Sequence, residues 1–107
     1  MWISKHYDDE YRRVDILDIP GDKHTDPQRL VVFADPHEKI WYMNYWLGNP
    51  KEDPDLEPVM YREVLAASDW DTAHKKAEYA VYRYLENKQL KWKAAAWYFD
   101  EVRFGRL

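Results

Sequence analysis

Histidines beside carboxylates are the residues of this sequence best suited to bind a metal ion. Two such groups occur, and they are His24-Thr25-Asp26 and Asp35-Pro36-His37-Glu38. Neutral imidazole and carboxylate oxygens are competent ligands for divalent metals. Dispersed Asp, His and Glu side chains in polar turns are, however, ordinarily solvated. The sequence therefore predicts no metal site and no cofactor.

One of these groups resembles a known motif over three residues. Asp35-x-His37 directly follows an apolar run, and in this it resembles the first metal motif of calcineurin-like phosphoesterases. The later motifs of that family are missing, because the chain has no Gly-Asn-His and no Gly-Asp box with further ligands. The chain is also too short for that two-layered fold, so this activity is not expected.

The sequence contains few residues that could serve in nucleophilic catalysis. The chain has no cysteine and only two serines, Ser4 and Ser68, of which Ser68 is better explained as a helix cap. Three glycines are too few for a backbone cradle that binds phosphate. The adjacent carboxylates Asp8/Asp9 and Glu52/Asp53 lie in polar settings that would not raise a pKa for general-acid work. We therefore predict that the protein is not an enzyme.

Length and composition predict one folded domain over residues 1–107. Aromatic residues make up 17% of the chain, which argues against wholesale disorder. No stretch approaches the roughly 20 apolar residues of a membrane span, and the first residues do not resemble a signal peptide. Without cysteine or targeting signals, we expect a cytoplasmic protein that does not associate with membranes.

The first two thirds of the chain predict β-strands separated by turns. Three short β-rich or apolar runs are predicted strands, and they cover 14–19, 30–34 and 40–47. The last two are apolar on both faces, which suits interior strands of a covered sheet. A fourth run at 59–66 alternates imperfectly, and either a strand or a short helix fits it. Turns follow from six prolines that all lie between positions 20 and 58.

The remaining third predicts two helices. Ser68 is the expected N-cap of the first helix, which ends near Asn87. Its apolar residues recur at helical spacing, and they are Trp70, Ala73, Ala77, Ala80, Val81, Tyr84 and Leu85. A second helix is expected from Leu90 to Phe104, stopped at Gly105. It is apolar on two sides, one of which carries Trp92 and Phe99.

These elements together predict an α+β fold. A three- to four-stranded, mainly antiparallel sheet is followed by two C-terminal helices packed on one of its faces. The sheet-forming region covers about residues 10–66 and the helical region about 69–104.

The predicted helices also carry surface side chains suited to association. Opposite its apolar stripe, the first helix presents basic residues interleaved with aromatic ones: Lys75, Lys76, Tyr79, Tyr82 and Arg83. Tyr, Trp and Arg are over-represented where proteins bind one another. Basic and aromatic surfaces also bind nucleic acid by charge and stacking. Solvated lysine and arginine stems covering tyrosine rings are the plainer explanation.

Charge is distributed unevenly along the chain. Residues 1–58 hold 13 acidic and 7 basic residues, whereas residues 59–107 hold 7 acidic and 9 basic ones. An acidic surface is one feature of proteins that mimic a nucleic-acid backbone, but a net charge of −4 is modest for that role. The same net charge opposes strong binding of nucleic acid.

A binding function follows from many aromatic residues without a catalytic set. We expect a small inhibitor or adaptor that docks on a larger protein, of the kind that bacteriophages and mobile elements direct against host defence systems. Trp92, Phe99, Tyr79 and Tyr82 are the predicted anchors, with Lys75, Lys76 and Arg83 at the rim. Two alternatives are a nucleic-acid-binding domain that uses the basic helical face and a homodimer joined through the second helix.

Overall fold

Five strands and one helix form the described structure. A computed structural model describes residues 1–7, 13–21, 26–35 and 37–88. The strands and the helix, in chain order, are β1 (Trp2–His6), β2 (Arg13–Ile19), β3 (Gln28–Asp35), β4 (Ile40–Leu47), β5 (Met60–Leu65) and α1 (Trp70–Asn87). The predicted α+β class is confirmed.

The strands pair in chain order into one open antiparallel sheet. Antiparallel neighbours need only short connections, so no crossover is required. The sheet has five strands, and the expectation of three or four was wrong because β1 was missed. β1 lies outside the predicted sheet region of 10–66, and four of its five residues are exposed. An edge strand in contact with water lacks the apolar run from which a strand is predicted.

The uncertain run at 59–66 is a strand, β5, and the alternative of a short helix was wrong. β5 pairs with β4, but their register shifts between Met43 and Tyr45. Next to this shift Arg62 adopts a left-handed backbone with φ 49°, and its N–H donates to Asn44 Oδ1 at 2.7 Å. This irregularity explains the imperfect alternation in the sequence.

The core lies between α1 and one face of the sheet. Helix residues Ala73, Ala77, Val81 and Leu85 are completely buried, as their spacing of four predicts. Opposite them lie the buried side chains of Leu30, Val32, Met43 and Tyr45. Small alanines allow the helix backbone to approach the strands closely.

The N-cap of α1 is Asp69, and the prediction of Ser68 was wrong. Asp69 Oδ1 accepts a hydrogen bond from the backbone N–H of Thr72 at 2.7 Å, which lowers the pKa of Asp69. A carboxylate at this position also interacts favourably with the positive end of the helix dipole. The second predicted helix, Leu90 to Phe104, lies outside the described residues.

Candidate interaction surfaces

A buried carboxylate joins β1, β2 and α1. Asp15 on β2 is fully buried and accepts two hydrogen bonds from the Arg13 guanidinium, both at 2.9 Å. Its Oδ2 lies 2.5 Å from His74 Nε2 on α1, and the Ser4 hydroxyl on β1 donates to it as well. Burial alone would raise the pKa of Asp15, but these hydrogen bonds outweigh it and hold the pKa below its ordinary value.

Aromatic rings enclose this polar cluster. The Trp2 indole stacks on the His74 ring with centroids 4.1 Å apart. The Trp70 ring meets His74 edge-on at 6.4 Å, and the Arg13 guanidinium lies 4.3 Å from the centroid of the Trp70 ring. The Arg13 guanidinium is therefore held between a carboxylate and the face of the Trp70 ring, an arrangement that stabilises contacts between elements.

The cluster contains Ser, His and Asp but lacks the order of a catalytic triad. In a triad the imidazole lies between the hydroxyl and the carboxylate and takes the proton of the hydroxyl. Here Ser4 and His74 both bind the same carboxylate, Asp15. The hydroxyl is thus committed to a carboxylate instead of being activated by a base.

The sequence contains a signal for this cluster, although no motif marks it. Asp15, Leu17 and Ile19 share one strand face by alternation, so Asp15 occupies a core position among apolar neighbours. A carboxylate there requires buried partners. Its partner His74 lies 59 residues away in the sequence.

Asp35 and His37, the candidate metal pair, belong to a turn. Asp35 Oδ1 accepts hydrogen bonds from the backbone N–H groups of His37 and Glu38 at 2.8 and 3.1 Å, which lower the pKa of Asp35. Among the described residues, no three His, Asp or Glu side chains are grouped so that they could hold a metal ion. His24 and Pro36 lie outside these residues.

The second face of the sheet, which points away from α1, is rich in apolar side chains. The register places on this open face Ile3, Val14, Ile16, Val31, Phe33, Ile40, Tyr42, Trp46 and Val64. None of them belongs to the core cluster or to the side chains packed against it. In the described part of the chain, no helix or strand lies over them. Among the described elements, the expected cover of β3 and β4 is thus seen on the side of α1.

An aromatic pair under an arginine occupies the β3–β5 half of the open face. The rings of Phe33 and Tyr42 stack with centroids 5.5 Å apart. The exposed Arg62 guanidinium lies 5.0 Å from the Tyr42 centroid and 5.7 Å from that of Phe33. The left-handed backbone at Arg62 accompanies this placement on β5.

The edges of the open face carry exposed apolar side chains beside charged ones. Ile3 on β1 is 58% exposed and Val64 on β5 is 65% exposed. Arg29 binds Asp18 through two hydrogen bonds at 2.7 and 2.8 Å, so these charges neutralise each other and the pKa of Asp18 is lowered. Lys5 and Arg62 add positive charge to this face, and Asp35 and Glu38 add carboxylates at its end, where Glu38 accepts a hydrogen bond from the Tyr42 hydroxyl at 3.5 Å.

The residues of the surface predicted on the first helix do not all lie on one exposed face. Lys75, Tyr79 and Arg83 are exposed at a spacing of four residues, so they form one strip along α1. Tyr82 packs against the core instead, and Lys76 is half-buried. Arg83 pairs with Glu86 at 3.5 Å, which reduces the positive charge of the strip. Trp92 and Phe99 lie outside the described residues.

No protein-family model, no curated protein and no solved structure matches this chain. Among the described helices, none is both long and apolar enough to cross a bilayer. The function must therefore be inferred from the surfaces of the molecule itself.

Proposed function

We propose that this protein is a non-enzymatic binding module that docks on a larger protein through the open face of its sheet. A single observation carries the proposal. Nine apolar or aromatic side chains share this face, outside the core and without a covering helix or strand among the described residues. Apolar surfaces of this kind are typical of sites that bind proteins.

The partner has a definable chemistry. Its contact surface is apolar, and it carries a carboxylate opposite Arg62, the exposed cation above Phe33 and Tyr42. Charge complementarity of this type sets orientation and association rate, while the aromatic residues supply affinity. An inhibitor or adaptor would act by covering a surface of its target, and no bond in either protein would be broken.

The aromatic pair is better suited to a protein than to nucleic acid. Bases bind to proteins by stacking on open ring faces. On this face, Arg62 already lies above both Phe33 and Tyr42. A net charge of −4 further opposes a phosphate backbone. Nucleic-acid binding is therefore the competing function, and the experiment described next can detect it.

The test compares two charge reversals of equal size. Proteins captured from a nuclease-treated lysate of the source cells are purified, and their binding to the pure chain is measured by calorimetry. Arg62→Glu, on the open face, should weaken binding by about tenfold or more. Arg83→Glu, on the exposed strip of α1, should change it by about twofold or less.

Three results would contradict the proposal. If neither variant changes binding, the open face is not the docking surface. If only Arg83→Glu weakens it, the interface lies on α1. If the chain instead binds a labelled single-stranded oligonucleotide with an affinity that falls steeply as salt increases, the protein binds nucleic acid.

A further inference from the structure

The two edges of the sheet differ in regularity. At the β5 edge the register with β4 shifts and Arg62 has a positive φ. Such bulges and kinks are devices that keep an edge strand from pairing with another chain. At the β1 edge, Trp2–His6 pair with β2 residue for residue, without a shift. β1 is the edge that retains the geometry needed for a further strand.

β1 is also anchored to the rest of the fold in its extended form. On the side of α1, Trp2 stacks on His74 and Ser4 donates to the buried Asp15. Strand pairing is favoured when the backbone is ordered before binding, because less conformational entropy is then lost. Within the described part of the chain, β1 is the last strand on its side of the sheet.

The residues of β1 do little to prevent this edge from pairing with another strand. The strand contains no proline and only one full charge, that of Lys5. Its open-face residues include Ile3, and Met1 and Tyr7 next to the strand continue the alternation. These three side chains are 58%, 99% and 51% exposed, respectively. A row of exposed apolar side chains on an edge strand without proline or several charges favours association with another chain.

A second copy of β1 complements this edge. When two identical antiparallel strands are related by a twofold axis, residues that face one side of the sheet meet residues of the same side. Ile3 and its apolar neighbours therefore meet their counterparts on the open face. If the axis passes beside Ile3 or Ser4, Lys5 faces Met1 or Ile3 of the other copy, so like charges are not opposed.

We propose that two copies of this chain pair antiparallel through β1 and form one continuous ten-stranded sheet. Both α1 helices would then lie on one side and both open faces on the other. This inference does not depend on the proposed function, although such a dimer would present two adjacent docking surfaces. It differs from a homodimer joined through the second helix, because the contact lies at β1.

The affinity should be modest because the paired strands are short. Interfaces well below the standard size are weak, so we expect dissociation constants of about 1–100 µM. Sedimentation velocity of the full chain between about 5 and 500 µM should show a reversible monomer–dimer equilibrium. A chain that stays monomeric over this range would overturn the proposal.

Two matched variants locate the contact. Ile3→Lys and Val64→Lys introduce the same charge at exposed open-face positions on opposite edges of the sheet. Ile3→Lys should weaken dimerisation by about tenfold or more because it places cations near Lys5 of the other copy. Val64→Lys should leave it within about twofold. Equal effects of the two variants would overturn pairing through β1.

Hydrogen exchange supplies a readout that does not depend on substitution. The outward amides of β1 should exchange more slowly as the concentration of wild-type chain increases, since they gain hydrogen bonds in the dimer. The amides of β5 should show no such dependence. A concentration effect at β5 and not at β1 would assign the contact to the other edge.

Discussion

The imidazole of His74 on α1 lies parallel to the indole of Trp2 on β1, with the two ring planes only 6° apart. Trp2 is the one residue of β1 that is not exposed. The same imidazole contacts the buried carboxylate of Asp15. His74 therefore connects an edge strand, an interior strand and the helix, with its ring face on Trp2 and its Nε2 atom on Asp15.

Removing His74 should destabilise the fold. In His74→Ala, Asp15 loses a hydrogen-bond partner while it remains buried, and Trp2 loses the ring on which it stacks. We expect the free energy of unfolding to fall by about 2–3 kcal/mol, measured by urea denaturation. His37→Ala, in an exposed turn, is the control and should change it by about 0.5 kcal/mol or less. Equal losses in both variants would show that the cluster contributes no stability.

Asp15 should make stability depend on acid pH. Its pKa in the folded protein lies below the ordinary value of 3.8, so the unfolded chain takes up the proton first as pH falls. The contribution of Asp15 is thus fully present above about pH 4 and is lost as pH falls through the pKa of the folded state. Urea denaturation at successive pH values from about 7 to 2.5 measures this loss.

The variant Asp15→Asn isolates this contribution. It should be less stable than the wild type at neutral pH and should lose less stability on acidification. Asp18→Asn is the comparison, because its carboxylate pairs with Arg29 but is 54% exposed and is screened by solvent. A steeper pH dependence in Asp15→Asn than in the wild type would contradict the assignment.

The cap of α1 can be assigned by two adjacent alanine substitutions. Asp69→Ala removes the acceptor for the Thr72 N–H and should cost about 0.5–2 kcal/mol of unfolding free energy. Ser68→Ala, one residue earlier, should cost about 0.5 kcal/mol or less. Thermal or urea unfolding of both variants distinguishes the two positions, and a larger loss in Ser68→Ala would restore the cap predicted from the sequence.

Tyr79 and Tyr82 should respond differently to truncation. Tyr82 packs against the core, so Tyr82→Ala should reduce the free energy of unfolding by about 2 kcal/mol. Tyr79 is 37% exposed, and Tyr79→Ala should cost about 1 kcal/mol or less. The comparison identifies which tyrosine is available to a partner. A larger loss for Tyr79 would reverse that assignment.

Local patterns were enough to predict most elements. The apolar runs at 14–19, 30–34 and 40–47 each lie within an observed strand, and the helical stripe through Ala73 and Leu85 is buried. β1 was missed because an exposed edge strand lacks that apolar pattern. The cap was misplaced by one residue because Ser68 and Asp69 both suit that role and only the helical geometry distinguishes them.

The sequence by itself determined the class of fold, the absence of cysteine chemistry and the excess of aromatic residues, because these depend on composition and on neighbours along the chain. Only the tertiary structure decided that β3 and β4, apolar on both sides, receive α1 on one face and leave the other open among the described elements. It also brought His74 to Asp15 and Trp2. Such contacts depend on strand register and helix placement, which arise from the packing of the whole core and have no local signal.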